Sequence, residues 1–494
     1  MAHGRFSGLR WESVEEISQS NASKADAGRA EAPAKEDTVD LSAYAEHPLV
    51  KLLRRTGVPR HPDPSATPRE EAEFLLQAAS EVEHQFIVQY LYAFFSLNFD
   101  KGGEIAEQSS IHLLQIAEEE MGHLLTVQNT LLLIGSEPYL VRERTPPAEP
   151  QPFPLMLEPA GLPFVSRFLV AESPVDAELP DDLGDLKKRI EHVGALYAMI
   201  YWLFQDSDAP QEPWMLPPIM LPSGQHLLPE DYNADTARVA NLLNTASDWI
   251  ANGGIHVLPA PATPLANPAE MADAARRALF DVALQGEGPT DAGDDAPEET
   301  SHFHRLLGLY TRIRDAGSGL KLALDVPVDP HTSRAGETDS EQEQGLITDT
   351  SALLHARFFD LRYAMLLLEI FLSVSIPRTK LADGVPVRRT LARRAVNVEM
   401  RRGIGPLGGK LVTLPLKARQ NGVAPPFAGA TFGLPSNLFP NNERAGWESL
   451  LRLIDESRAL IDGAGSDLSA EMQALRQPDE TFRAFVVARI AEFA

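Results

Sequence analysis

The stretch IAEEEMGH, Ile116 to His123, places three acids and a histidine inside what otherwise reads as a buried amphipathic helix. A carboxylate taken out of water needs a strong compensating partner, so the direction in which each acid points decides how the chain is read. Residues three, four and seven apart share a helix face. With Glu120 as reference, Leu113, Ile116, Leu124, Val127, Leu131 and Ile134 lie on its side, and so does His123. Glu118 and Glu119 rotate away from that stripe and read as solvated surface acids. One inward Glu-x-x-His remains.

Two further helices repeat the pattern. The segment TPREEAEFLLQAASEVEHQFIVQYLYAFFSLNF, from Thr67, has a Thr-Pro start, acids in its first turn and sustained helical periodicity. On it Glu83 shares a face with Leu76, Ala79, Phe86, Ile87, Tyr90, Phe94 and Leu97, whereas Glu81 and His84 lie off that face and read as ordinary surface positions. In PEETSHFHRLLGLYTRI, Glu299 and His302 form a second Glu-x-x-His beside Phe303, Leu306, Tyr310 and Ile313, with His304 turned outward. A four-helix bundle that holds a carboxylate-bridged dinuclear centre needs one Glu from each of two helices and Glu-x-x-His from each of the other two. The repeated pattern predicts a shared metal site.

Composition narrows the chemistry. Of 494 residues none is cysteine, so thiolate metal sites, iron–sulfur clusters and disulfides are excluded and any metal must use nitrogen and oxygen donors. Oxygen-rich ligation with two imidazoles suits iron, with manganese as the alternative. The formal net charge of -26 repels phosphate backbones and anionic lipid, so neither nucleic acid nor membrane is expected as a partner. The first twenty residues lack the apolar core of a signal peptide, which fits a cytoplasmic protein. The apolar run RYAMLLLEIFLSVSIP, Arg362 to Pro377, carries Glu369 and is too short to span a bilayer, so it reads as a buried core helix.

Along the chain, residues 1–64 lack an apolar period and are expected to form a flexible N-terminal tail; residues 65–318 are expected to form the metal-binding bundle, and residues 319–494 a C-terminal helical region packed on it. Helices are expected near residues 107–134, 185–205, 235–251, 268–284 and 298–315, then near 351–375, 387–402, 444–462 and 469–494. Proline-rich loops, about 142–164 and 209–229, are expected to shape a substrate entrance. No strand ladder is apparent, so the class is mainly α.

The segments SEVEHQFIVQYLYAFFSL, IAEEEMGHLLTVQNTLLLIGSEP, LQGEG and ETSHFHRLLGL together resemble the ferritin-like domain of the iminophenylpyruvate dimer synthase type, known from violacein and bisindole pathways. The resemblance spans about residues 67–315. It implies a ferritin-like four-helix bundle with long Pro-rich insertions and a helical C-terminal extension, and it implies that Glu83, Glu120, His123, Glu299 and His302 are metal ligands. The family's third bundle helix usually supplies a further carboxylate in an Ile-Gly-Glu-x-Tyr pattern, and here VGALY places Ala195 at that position. Glu191, Asp206 and Glu287 are the substitutes within reach.

The expected function is a non-haem, di-iron oxidoreductase that uses O2 on a small, amino-acid-derived substrate in natural-product biosynthesis, in a small homo-oligomer. Tyr90, Tyr197, Tyr201 and Tyr310 are candidates for redox or hydrogen-bonding roles in it. The alternatives are a catalytically degenerate ferritin-like scaffold and a ferroxidase or iron-binding protein.

Overall fold

The computed structural model describes residues 5–13, 48–142, 156–174, 177–183, 186, 193–205, 226–235, 249, 265–285, 301–332, 344–377, 379–418, 424–435 and 437–493. Glu191, Asp206, Glu287 and Glu299 lie outside the described residues, as do most of the Pro-rich loops and, apart from Asp235 and Trp249, the helix expected over 235–251.

The first bundle helix, α2, runs Pro68–Ser96. It starts where the Thr-Pro signal places it: the Thr67 hydroxyl accepts from the Glu70 N–H while the Glu70 carboxylate accepts from the Thr67 N–H at 2.8 Å, and Pro68 occupies the first turn, where no N–H partner is needed. Leu97 and Asn98 turn the chain into α3, Phe99–Leu133, whose Asn98 cap accepts from the Lys101 N–H. Near its start α3 bends at Gly103, which has φ +51°, a backbone region that favours glycine. The two long helices pack along each other and form the spine of the bundle.

Around them stand α4, Leu162–Ala171, α5, Val193–Leu203, α6, Pro268–Gln285, and α7, His302–Ala316. Helix α5 packs on α2 and α6, and α7 packs on α3 and α4. The described part of α5 is apolar on every side and wholly buried. Helix α4 was not anticipated as a separate element; only its first residues, up to Phe164, stood in an expected loop.

Within residues 1–64, for which a flexible tail is expected, the described portions pack on the bundle. Strand β1, Arg10–Glu12, pairs antiparallel with β2, Val58–Arg60, beyond the short helix α1, Pro48–Thr56. Phe6 is buried, and its N–H donates to Glu81 at 2.9 Å.

The C-terminal region centres on α8, Thr350–Ser375, which is the predicted buried helix around Glu369. After the short β3–β4 pair, Leu381–Ala382 and Val385–Pro386, come α9, Val387–Arg394, a π-helical segment, Ala395–Ile404, and α10, Gly405–Leu411. Helix α11, Glu443–Gly463, packs on α8, and α12, Ala470–Ala491, packs on α11 and the π-helical segment. At the centre of this region Arg362 donates to both oxygens of Glu399 and to Asp479, while Arg394 donates to Glu369, Glu399 and Asp479. Two guanidinium groups thus partner three buried carboxylates, which is why Glu369 can sit in an apolar helix. Among the described residues no helix is long and apolar enough to cross a membrane.

Candidate metal centre

Glu83, Glu120, His123 and His302 converge in the middle of the bundle, each buried. Glu120 stands between the two imidazoles: its Oε2 is 2.9 Å from His123 Nδ1 and its Oε1 is 3.2 Å from His302 Nδ1. Two half-sites share this carboxylate.

In the first, Glu83 Oε2 lies 3.5 Å from His123 Nδ1 and has no hydrogen-bond partner among the described residues, while its other oxygen accepts from the Tyr197 hydroxyl. In the second, Glu172 Oε2 lies 3.3 Å from His302 Nδ1 and its other oxygen accepts from the Tyr90 hydroxyl at 2.8 Å. The far nitrogen of each ring is held from outside, His123 Nε2 by Gln285 Oε1 at 2.8 Å and His302 Nε2 by Glu119 Oε2 at 2.9 Å. The imidazole planes are tilted by 32° with centroids 5.6 Å apart. Each half thus repeats one plan: a carboxylate steadied by a tyrosine, an imidazole steadied by an outer oxygen, and a share of Glu120.

The electrostatics show what the cluster lacks. Burial and the charge of Glu120 push the Glu83 carboxyl up to about 8. Burial also disfavours the charged imidazole of His123, but Glu120 and Glu83 outweigh it and hold that ring up to about 10. Burial opposes charge on His302 as well, and Glu172 and Glu120 override it and raise it well above the ordinary histidine value. For Glu120, burial alone would raise the carboxyl, and the two imidazoles hold it well below its usual range instead. The buried carboxyls thus draw positive charge toward themselves, holding both rings toward the protonated form and Glu83 toward the neutral acid. Glu83, Glu120 and His123 form one group, and Glu120, Glu172 and His302 another, in which single ligand atoms lie within 4.8 Å of one another, close enough to share an ion. The donor set, all carboxylate and imidazole with outer hydrogen bonds to the rings, fits a metal of the iron or manganese type.

Residues 76–219 match the Ferritin-like family model. The matched segment contains Glu83, Glu120, His123, Glu172 and Tyr197, while Gln285 and His302 come from helices beyond it. No curated protein matches the chain. A solved ferritin-like protein from Caulobacter vibrioides is similar to it at 14% identity, over 67% of this chain and 96% of that one, with a TM-score of 0.36.

Three sequence readings change. Glu119 is not a simple surface acid: its side chain is only a third exposed, and it binds His302 and Arg305. Glu81 and His84 are buried because the N-terminal segment and α8 cover the outer face of α2; Glu81 accepts from Phe6 N–H and the Tyr139 hydroxyl, and His84 pairs with Tyr363. The carboxylate sought on the helix of Ala195 has a counterpart in Glu172, which caps the C-terminal end of α4. Its signal was available: Glu172 follows Phe168 by four positions and Leu169 by three at the end of an apolar run, the same inward spacing that marks Glu120. Of the four tyrosines, Tyr90 and Tyr197 bond ligand-like carboxylates, whereas Tyr310 donates to Asp182 at 2.5 Å.

Proposed function

We propose that this protein is a non-haem metal oxidoreductase with a dinuclear centre, iron in the first place and manganese as the alternative, that uses O2 to oxidise a small molecule. The observation that carries the reading is the sharing of Glu120 between two buried carboxylate–imidazole half-sites. Glu83, Glu120, Glu172, His123 and His302 would hold the metal ions, with Glu120 common to both groups. Glu299, three residues before His302 in the chain and outside the described residues, is retained as a further ligand on the resemblance of the sequence alone. The resemblance of the sequence to the iminophenylpyruvate dimer synthase type supports an amino-acid-derived substrate in natural-product biosynthesis.

The bound iron pair would supply electrons for reducing O2. Gln285 and Glu119 fix the ring orientation of His123 and His302, so that Nδ1 of each stays aimed inward. Tyr197 and Tyr90 hold one oxygen of Glu83 and of Glu172, leaving the second oxygen of each for the metal. Phe86, Val193, Val282 and Ala283 wall the cluster and exclude bulk water from a space of about 20 Å³. That is room for a molecule on the scale of water or O2.

Anaerobic reconstitution of the purified protein with Fe(II), followed by metal analysis and oxygen uptake on exposure to air, tests the proposal. The expected result is about two iron ions per chain and O2 consumption above buffer. Loading with many ions per chain would favour storage. A folded protein that binds no iron and consumes no O2 would leave the degenerate scaffold.

A further inference from the structure

A second, larger cavity, of about 250 Å³, lies between the α2–α3 pair and the C-terminal helices. Among the described residues it shares no lining residue with the metal cluster. Its walls are apolar: Leu91 and Leu125 from the bundle, Leu366 and Ile370 from α8, Met400 and Ile404 from the π-helical segment. Native cores rarely leave a void of this size unfilled, and a cavity of roughly 150 Å³ is already enough to admit benzene. Leu114, Glu118, Arg401 and Gly405 also line it and are exposed, so the cavity has a rim at the surface between α3 and the π-helical segment.

Two observations point to a ligand. The first is polar. The Trp249 side chain is 1% exposed, and its indole Nε1 has no hydrogen-bond partner among the described residues. His84, also in the wall and 1% exposed, bonds the Tyr363 hydroxyl through Nε2. An indole N–H can only donate, and a buried donor is satisfied only by an acceptor brought to it. The second is the backbone. At the end of the π-helical segment the Gly405 N–H donates to the Met400 carbonyl five residues back, and this wide winding sets Val396, Met400, Arg401 and Ile404 along the cavity. Such windings are rare and concentrate at functional sites.

We propose that this cavity binds a small, mainly apolar carbonyl compound, with its hydrocarbon part against the Leu, Ile and Met side chains and its oxygen accepting from the Trp249 indole N–H. The site is separate from the metal centre and does not depend on the metal reading. His84 forms part of its wall on the same helix that carries Glu83 into the cluster.

Acetophenone and isopropylbenzene, equal in heavy atoms and differing in C=O against C–CH3, are the probes, titrated calorimetrically into the full-length protein. Saturable binding of acetophenone at one site per chain is expected. Trp249→Phe should weaken acetophenone about three- to tenfold, the worth of one hydrogen bond, and leave isopropylbenzene unchanged. Leu366→Trp, filling the cavity, should abolish both, and Met400→Trp serves the same purpose if the first variant loses its helical circular dichroism. Glu120→Ala should leave acetophenone affinity unchanged. Absence of saturable acetophenone binding to the folded wild type overturns the proposal. So does equal weakening of both probes by Trp249→Phe, or loss of acetophenone binding in Glu120→Ala.

Discussion

Glu83 and His84 are consecutive in the chain and line two different cavities, Glu83 the carboxylate–imidazole cluster and His84 the apolar chamber beneath α8. One helix turned by a single residue thus separates the two sites, because α2 is covered on both faces rather than one.

Glu120 is the most sensitive single position of the cluster, since both imidazoles turn Nδ1 toward it. Glu120→Ala is expected to abolish metal retention while the far-ultraviolet circular dichroism stays helical. Metal analysis after gel filtration reads the result, and a variant that keeps its metal would remove Glu120 from the ligand set.

Glu172 offers a sharper test, because it serves only the His302 half. Glu172→Ala should release one ion of the pair and leave the other with Glu83, Glu120 and His123. Loss of both ions, or of neither, in inductively coupled plasma measurements would contradict the division into two half-sites.

The Tyr197 hydroxyl donates to Glu83, so it acts on the cluster through that carboxylate. Tyr197→Phe keeps the packing and removes the donor. Metal affinity is expected to fall roughly 10- to 100-fold, the usual effect of removing an outer partner of a ligand, as read by competition with a chromogenic chelator. The thermal unfolding midpoint of the metal-free protein should move little.

Arg362 neutralises buried Glu399 and Asp479. Arg362→Met strips both of a partner in a fully buried site, and a loss of about 3–5 kcal/mol in urea unfolding is expected. A change within error would mean that Arg394 alone suffices.

The cap of α2 carries a pH signature. Hydrogen bonds from the Thr67 N–H and hydroxyl hold the Glu70 carboxyl below its ordinary value of 4.5. A depressed carboxylate contributes stability that is fully present above that ordinary value and is lost as pH falls through the folded one, because the unfolded chain then binds more protons. Glu70→Gln should therefore lower the unfolding midpoint at about pH 6, with the difference from wild type shrinking as the pH is lowered below 4. An equal difference at both ends would assign the effect to the side chain's shape.

The sequence by itself determined the helices of the spine and the inward direction of Glu83, Glu120, His123 and His302, because helical period is local and a buried carboxylate stands out against an apolar stripe. It also determined the donor chemistry, since a chain without cysteine has only nitrogen and oxygen to offer. Periodicity names the face of a helix but not what lies across from it. Only the tertiary structure brought Glu172 from the end of α4 opposite His302, turned Glu119 from a surface acid into the partner of His302 Nε2, and set Arg362 against Glu399 and Asp479. Burial of Glu81 and His84 was likewise decided by what packs over α2, a matter of contacts between residues far apart in the chain, and the His84–Tyr363 contact also lines the second cavity.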